Sequence, residues 1–225
     1  MPMTSIQCIS RNVQTEKLSL TVLIGRHNIY NILASASVLY SMGYDLEHIK
    51  IGIENLRQVP GRLEEISLCQ DFKVFVDYAH TDDALRNVLT ALRVLTKGKL
   101  TVLFGCGGDR DRGKRPKMGK VATEIADLAF LTSDNPRSED PEEITKDILA
   151  GVENHSKCVV ELNRRQAIRL AIMGASSGDT ILIAGKGHET CQYFKDYVVP
   201  FDDRVSAYES LKERILKRMK YDVLK

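Results

Sequence analysis

Five short apolar runs recur through the last two-thirds of the chain, at residues 72–77, 100–105, 127–132, 158–162 and 180–184. Between them lie helical patterns, at residues 82–96, 116–126, 141–152 and 163–175. Strands that alternate with helices of this length are typical of a parallel sheet that is covered by helices on both faces. The pattern therefore predicts an α/β domain with a Rossmann-like, doubly wound and mostly parallel sheet.

The first third of the chain predicts one strand and two helices, at residues 16–24, 28–43 and 45–56. Asp45 stands where the N-cap of the second helix is expected. The chain then breaks at Pro60–Gly61, because neither residue continues a helix readily. We place a domain boundary a few residues later, so that residues 1–66 and residues 67–225 form separate domains.

A last helix is predicted over residues 204–220. Its large apolar side chains recur with the helical period and predict the buried face of the helix: Val205, Tyr208, Leu211, Ile215 and Met219.

The charge balance argues against several classes of function. The 225 residues include 32 basic and 30 acidic side chains, for a net charge of +2. Nonspecific binding to nucleic acid needs a strong basic excess, and stacking on bases needs more aromatic residues than the 6% found here. Since residues 1–12 lack the apolar core of a signal peptide and no apolar run reaches 18 residues, we expect a cytoplasmic protein that binds neither nucleic acid nor membranes.

The five cysteines are widely separated, at Cys8, Cys69, Cys106, Cys158 and Cys191. No C-x-x-C pair occurs, so the spacing indicates neither a zinc site nor a disulfide framework. We expect reduced thiols and no metal ligand in this chain.

Unusually polar stretches follow four of the predicted strands, and they read DYAHTDD (77–83), GCGGDRDRGKRP (105–116), SDNPRSEDP (133–141) and GKGHE (185–189). In an open α/β sheet, ligands bind beyond the carboxyl ends of the strands. From Gly108 the second stretch matches the phosphate loop G-x-x-x-x-G-K. However, Arg115 replaces the hydroxyl residue that binds magnesium, and Asp109 and Asp111 stand where phosphate oxygens would lie. A phosphate loop is therefore excluded.

Three of these stretches combine acidic and basic side chains, including Asp134 with Arg137 and Lys186 with Glu189. Both signs of charge at one edge of a sheet complement a zwitterion better than a polyphosphate, and an amino acid is the simplest such ligand. Each stretch alone has a simpler structural interpretation; Asp140–Pro141, for example, is typical of an N-cap followed by the first helical residue. Their coincidence at one edge favours a binding site.

Six stretches of the chain read VDYAHTDDAL, FGCGGDRDRGKRPKMG, SDNPRSEDP, RRQAI, AGKGHETCQ and FDDR. Together they resemble the carboxyl-terminal domain of the Mur ligases, in particular of the members that add 2,6-diaminopimelate to a peptidoglycan precursor. Upstream, GRHNIYN and VPGRLE resemble the end of the central ATP-binding domain of that family. The resemblance implies that residues 1–66 are the end of a central domain and that residues 67–225 are an amino-acid-binding domain.

The resemblance also implies site residues. The positions that match those holding meso-diaminopimelate are Arg110, Asp134, Asn135, Pro136, Arg137, Gly185 and Glu189. The positions that match contacts to the adenine, phosphate and ribose of ATP are Asn31, Arg62 and Asp77. Diaminopimelate differs from lysine by a distal carboxylate, and a guanidinium binds a carboxylate through two hydrogen bonds, so a lysine-specific site would have no use for Arg137.

The reaction implied by the resemblance uses ATP and Mg²⁺. ATP phosphorylates the carboxylate of UDP-MurNAc-L-Ala-D-Glu, and the amine of meso-diaminopimelate attacks the acyl phosphate. Such a reaction depends on positioning and charge neutralisation, so we expect no residue of this chain to be a chemical catalyst.

The chain departs from the family pattern at two points. Asp82 stands where the family usually has proline, which changes a turn or the start of a helix. In addition, residues 1–225 contain no G-x-x-G-K-T phosphate loop, the region of the family that supplies the main contacts to Mg²⁺. They also contain no region that would hold the uridine nucleotide. We therefore expect this chain to be inactive alone and its residues 1–66 to leave apolar surface uncovered. We also expect a monomer.

Two alternatives remain open. One is a stand-alone amino-acid-binding module that performs no chemistry. The other is a ligase that acts on polyglutamate tails, as folylpolyglutamate synthase does, although the stretches DNPR and GKGHET are evidence against it. The choice of ligand would separate these hypotheses.

Overall fold

The computed structural model describes residues 4–8, 17–21 and 23–223. The chain divides into two compact units, Met1–Val59 and Pro60–Lys225. The sequence analysis places the boundary after residue 66. In the structure, residues 60–66 belong with the second unit because Glu64–Glu65 pairs with a strand of that unit. No helix of the described residues is long and apolar enough to cross a lipid bilayer.

The described residues of the first unit form an antiparallel pair of strands and two helices. Their bounds are β1 (Thr4–Cys8), β2 (Lys17–Thr21), α1 (Arg26–Ser41) and α2 (Leu46–Asn55). The strand predicted over residues 16–24 is observed as β2; residues 16 and 22 lie outside the described residues. Asp45 is the N-cap of α2, as predicted, and its carboxylate accepts hydrogen bonds from the backbone amides of Glu47 and His48. Tyr30, Val38 and Tyr40 of α1 are exposed.

The second unit is built on a six-stranded sheet with a separate two-stranded hairpin. The strands are β3 (Glu64–Glu65), β4 (Lys73–Asp77), β5 (Leu100–Phe104), β6 (Leu128–Leu131), β7 (Cys158–Val160), β8 (Thr180–Ala184), β9 (Cys191–Tyr193) and β10 (Val198–Pro200). The sheet has the order β3-β4-β8-β5-β6-β7, in which β3 is antiparallel and the other strands are parallel. The hairpin pairs β9 with β10.

Five helices cover the two faces of this sheet. They are α3 (Asp82–Leu95), α4 (Lys114–Ile125), α5 (Pro141–Leu149), α6 (Arg164–Gly174) and α7 (Asp203–Val223). Successive side chains of a strand point to opposite faces. Val74, Val76 and Ile183 pack in one cluster with residues of α6 and α7. The intervening residues, such as Phe75 and Leu182, are buried on the other face, where α3, α4 and α5 pack in succession.

The predicted α/β class with a mostly parallel sheet is confirmed. Strands β4 to β8 and helices α3 to α6 all lie where the apolar pattern predicts them, because strands buried on both faces form nearly continuous apolar runs. Asp140 caps α5 and Pro141 is its first residue, also as predicted. Asp82, which stands where the family usually has proline, is the first residue of α3, and the hydroxyl of Thr81 caps this helix.

A buried ion pair joins the first residues of α6 and α7. Both side chains are fully buried, and the Arg164 guanidinium donates two hydrogen bonds of 2.7 Å to the carboxylate of Asp203. Arg164 also donates to the carbonyl oxygen of Ala184, the last residue of β8, at 2.9 Å. The stretches RRQAI and FDDR thus meet beneath the carboxyl end of the sheet.

Candidate functional site

Four loops meet at the carboxyl edge of the sheet in the second unit. They follow β4, β5, β6 and β8 and comprise residues 78–81, 105–113, 132–140 and 185–190. Because these strands are parallel and adjacent in the order β4-β8-β5-β6, their loops emerge side by side. The polar stretches found in the sequence therefore share one edge, as the predicted fold requires.

The loops after β5 and β6 are joined through their backbones. The amide of Gly108 donates to the carbonyl oxygen of Asn135 at 2.9 Å, and Nη1 of Arg137 donates to the carbonyl oxygen of Gly108 at 2.8 Å. A Cβ atom built at Gly108 would lie 1.8 Å from the carbonyl oxygen of Pro136. The glycine is therefore needed for the close approach of the two loops.

We expect Gly108→Ala to lower the free energy of unfolding by about 1–3 kcal/mol, because the added methyl group must push the two loops apart. The matched control is Gly174→Ala at the end of α6, where a Cβ atom would meet nothing within 4 Å. Urea unfolding of both variants measures the difference. Equal stability of the two variants would contradict the close contact at Gly108.

Lys186 is fully buried between the loops after β6 and β8. Its ammonium donates to Oδ1 of Asn135 at 2.9 Å and to Oε2 of Glu189 at 3.0 Å, and it lies 3.8 Å from Oδ1 of Asp134. Nδ2 of Asn135 donates to the same oxygen of Glu189 at 2.9 Å. The lysine therefore fixes the orientation of the Asn135 amide and joins three of the predicted site residues.

The two carboxylates of this cluster have opposite pKa shifts. Burial raises the pKa of Asp134 and outweighs the attraction of Arg164 and Lys186. Burial also acts on Glu189, but hydrogen bonds from Asn135 and Lys186 outweigh it and hold the pKa of Glu189 below its usual value. Glu189, whose side chain is 31% exposed, is therefore an ionised acceptor that a ligand can reach.

Gly185 brings the loop after β8 against Asp134. Its φ of 110° lies in the region that favours glycine, and a Cβ atom there would lie 2.7 Å from Oδ2 of Asp134. The predicted site residues Gly185 and Asp134 are thus in direct contact.

Two arginines lie close to Gly107. A Cβ atom built at Gly107 would lie 2.9 Å from Nη1 of Arg137 and 3.7 Å from Cγ of Arg110. Arg110 is exposed and donates to the carbonyl oxygen of the neighbouring Asp109 at 3.0 Å. Arg137 uses Nη1 on backbone carbonyls, and no acceptor in the described part of the chain binds its Nε or Nη2. Both guanidinium groups therefore keep donors for a ligand.

The positions matched to ATP contacts fall into two groups. Arg62 is exposed, and its guanidinium lies 5.2 Å from the centre of the Tyr78 ring. Asp77 is buried, and its carboxylate accepts hydrogen bonds of 2.8 Å from the amides of Leu63 and Ala79, so it holds the turn that carries Arg62. Asn31 belongs to the first unit, where it is exposed on α1.

The structure thus brings all seven residues predicted for the amino acid into the loops after β5, β6 and β8. Sequence reasoning assigned no role to Lys186, which orients Asn135 and Glu189, although it noted the opposite charges of Lys186 and Glu189. It also gave no structural role to Arg164 and Asp203. Their pairing across 39 positions of the chain leaves no local pattern.

Comparison with known proteins gives a family match over the second unit. Residues 61–187 match the model described as Mur ligase, glutamate ligase domain. Over 213 residues, the chain is 50% identical to UDP-N-acetylmuramoyl-L-alanyl-D-glutamate–2,6-diaminopimelate ligase of Solibacter usitatus, covering 93% of this chain and 43% of that protein. The chain spans less than half the length of the curated relatives that it matches.

Solved structures show the same likeness. One structure of a UDP-N-acetylmuramoyl-L-alanyl-D-glutamate–2,6-diaminopimelate ligase is 37% identical and has a TM-score of 0.68, covering 93% of this chain and 43% of that one. A folylpolyglutamate synthase of Mycobacterium tuberculosis has a TM-score of 0.59 over 80% of this chain and 44% of its own. Its identity of 22% indicates a shared fold alone.

Proposed function

We propose that this chain, which belongs to the Mur ligase family, carries the amino-acid-selecting domain of a ligase in peptidoglycan precursor synthesis. The amino acid is meso-diaminopimelate, and the acceptor is UDP-MurNAc-L-Ala-D-Glu. The activity named for its relatives supports this assignment. The observation that carries it is that two arginines with free donors lie in the loops after β5 and β6, next to the loop of the ionised Glu189.

This arrangement suits the distal end of meso-diaminopimelate, which carries a carboxylate and an ammonium group. Arg110 and Arg137 would bind the carboxylate, since a guanidinium matches its two oxygens and a charged hydrogen bond is stronger than a neutral one. Glu189 would accept from the ammonium group, and the Asn135 amide, which Lys186 orients, would line the site between them. L-lysine lacks the distal carboxylate and would leave both arginines without a partner.

The chemical contribution of such a domain is to position the attacking amine. In the proposed reaction, ATP converts the carboxylate of the UDP-linked dipeptide into an acyl phosphate, which the amine of meso-diaminopimelate attacks. Holding the distal end of the amino acid orients this amine and lowers the entropic part of the barrier. Arg62 would contact a phosphate of ATP, and Asn31 would contact the adenine. Asp77, which fixes the turn of Arg62, would contact the ribose.

Mg²⁺ would neutralise charge on the phosphates of ATP in this reaction. Among the described residues, no group of three or more His, Cys, Asp or Glu side chains is arranged to hold a metal ion.

A stand-alone amino-acid-binding module is the second candidate. It is favoured by one observation: the loops that would hold the amino acid lie entirely within the unit Pro60–Lys225. Phosphate release from ATP in the presence of UDP-MurNAc-L-Ala-D-Glu and meso-diaminopimelate distinguishes the two candidates, because a ligase would release phosphate and a binding module would not.

Calorimetric titration of the purified chain tests the proposed ligand. We expect saturable binding of meso-diaminopimelate, with no comparable heat from L-lysine or L-glutamate. The distal end of lysine carries only an ammonium group and that of glutamate only a carboxylate, whereas that of meso-diaminopimelate carries both. A preference for L-glutamate would favour the polyglutamate-type ligase. Equal binding of meso-diaminopimelate and L-lysine would contradict the roles of Arg110 and Arg137.

A further inference from the structure

Glu139, at the end of the loop after β6, joins that loop to the loop after β5. Its Oε1 accepts from the amide of Asp109 at 2.6 Å and from Nη2 of Arg115 at 2.8 Å, while Oε2 accepts from Nη1 of Arg115 at 2.8 Å. The Arg115 side chain is fully buried, and Nη2 also donates to the carbonyl oxygen of Gly107 at 3.2 Å. One carboxylate thus contacts the backbone immediately before Arg110.

The two loops that Glu139 joins also contain two unusual backbone conformations. Asp109 and Arg137 both have a φ of 54°, in the left-handed region that residues other than glycine rarely adopt. Such conformations persist where the surroundings fix them. The Asp109 carboxylate accepts from the hydroxyl of Ser138 at 2.6 Å, and the amide of Arg137 donates to the carbonyl oxygen of Tyr193 at 2.9 Å. The direction of each arginine therefore depends on these local bonds.

We propose that the Arg115–Glu139 ion pair is a positioning pair that sets the spacing between Arg110 and Arg137 and thereby the affinity for the distal carboxylate of the amino acid. This inference rests on the proposed function of the two arginines. Neither Arg115 nor Glu139 would touch the ligand, since Arg115 is buried and both oxygens of Glu139 are occupied within the protein.

The charge of Glu139 is stable across the range in which binding is measured. Hydrogen bonds from Arg115 lower its pKa to about 2. A depressed carboxyl pKa means that the pair is complete above the ordinary value of 4.5 and is lost only as the pH falls towards 2. A loss of affinity caused by Glu139→Gln should therefore be the same at pH 6 and pH 8.

The test compares Glu139→Gln with Glu213→Gln in calorimetric titrations of the whole chain with meso-diaminopimelate. Glu213 is a matched control because it forms a similar two-bonded pair with Arg169 between α6 and α7, and its pKa is also lowered to about 2. We expect Glu139→Gln to weaken binding about tenfold or more, as loss of one charged hydrogen-bond partner implies. Glu213→Gln should leave binding unchanged.

A second pair of variants separates positioning from general stability. In an Arg137→Lys background one of the two guanidinium groups whose spacing the pair would set is gone, so adding Glu139→Gln should weaken binding by less than about threefold more. If Glu139 had a purely structural role, Glu139→Gln would weaken binding by the same factor in both backgrounds, and that result would overturn the proposal. If Glu139→Gln does not fold, Ser138→Ala removes an exposed contact of the same loops and should still weaken binding.

The outcomes also separate this inference from the proposed function. Selective binding by the wild-type chain and equal affinity in Glu139→Gln would overturn the positioning role alone. Absence of selective binding by the wild-type chain would overturn the proposed function and the positioning role with it.

Discussion

Replacing Asp203 with asparagine should lower the free energy of unfolding by about 3–5 kcal/mol, because the substitution leaves the Arg164 guanidinium buried without its anionic partner. Both side chains are fully buried, and the pair is bonded through two hydrogen bonds of 2.7 Å. Asparagine has nearly the volume of aspartate, so the loss reports the charge and not a cavity. Urea unfolding of the variant and of the wild-type chain gives the difference.

Glu209→Gln is the matched control for this substitution. Glu209 pairs with Arg165, so it joins the same two helices, but both side chains are more than half exposed. Exposed ion pairs contribute about 0–1 kcal/mol because water screens the charges. If Asp203→Asn were no more destabilising than Glu209→Gln, Arg164 would have to find another partner or reach solvent, and the buried pair would not hold α6 to α7.

The sheet could be predicted from the sequence because its central strands are buried on both faces. Val74, Phe75 and Val76 of β4 are all buried, so their segment appears as an uninterrupted apolar run between polar ones. The hairpin of β9 and β10 could not be predicted in this way. Each strand has three residues, and all three residues of β10 are exposed, so no apolar pattern marks them.

The predicted buried face of α7 is wrong. Val205, Tyr208 and Met219 are exposed, and of the five predicted residues only Leu211 is fully buried. The helix instead buries a face of small and charged residues, which includes Asp203, Ser206, Ala207 and Ser210. A prediction that relies on large apolar side chains does not find a buried face made of small residues and one member of an ion pair.

The residues of the candidate site can be predicted from the sequence because each polar stretch lies within one loop. The hydrogen bonds and ion pairs between these loops cannot be predicted in this way. The sequence shows Lys186 three residues before Glu189, and these two side chains do pair. It does not show that Lys186 also reaches Asn135, 51 positions away, or that Arg115 reaches Glu139, 24 positions away. Such pairs depend on which loops the strand order places side by side, and only the structure gives that order.

Replacing Arg137 with alanine should weaken binding of meso-diaminopimelate at least about 30-fold, which corresponds to roughly 2 kcal/mol. The substitution removes the Nε and Nη2 donors that no acceptor in the described residues binds, and it leaves the distal carboxylate of the ligand without its partner. Arg137→Lys should lose most of the same affinity, because an ammonium group keeps the charge but not the planar fork. Calorimetric titration of the three proteins measures the effect.

Arg112→Ala controls for the loss of a nearby positive charge. Arg112 lies in the loop after β5, is 64% exposed and pairs with Asp147, which keeps its second partner Arg115. Removing it should change the affinity by less than about threefold, as expected for an exposed ion pair. If Arg137→Ala bound meso-diaminopimelate as tightly as Arg112→Ala does, the role of Arg137 would be structural: its guanidinium would bind the carbonyl oxygen of Gly108 and not the ligand. Recognition of the distal carboxylate would then depend on Arg110.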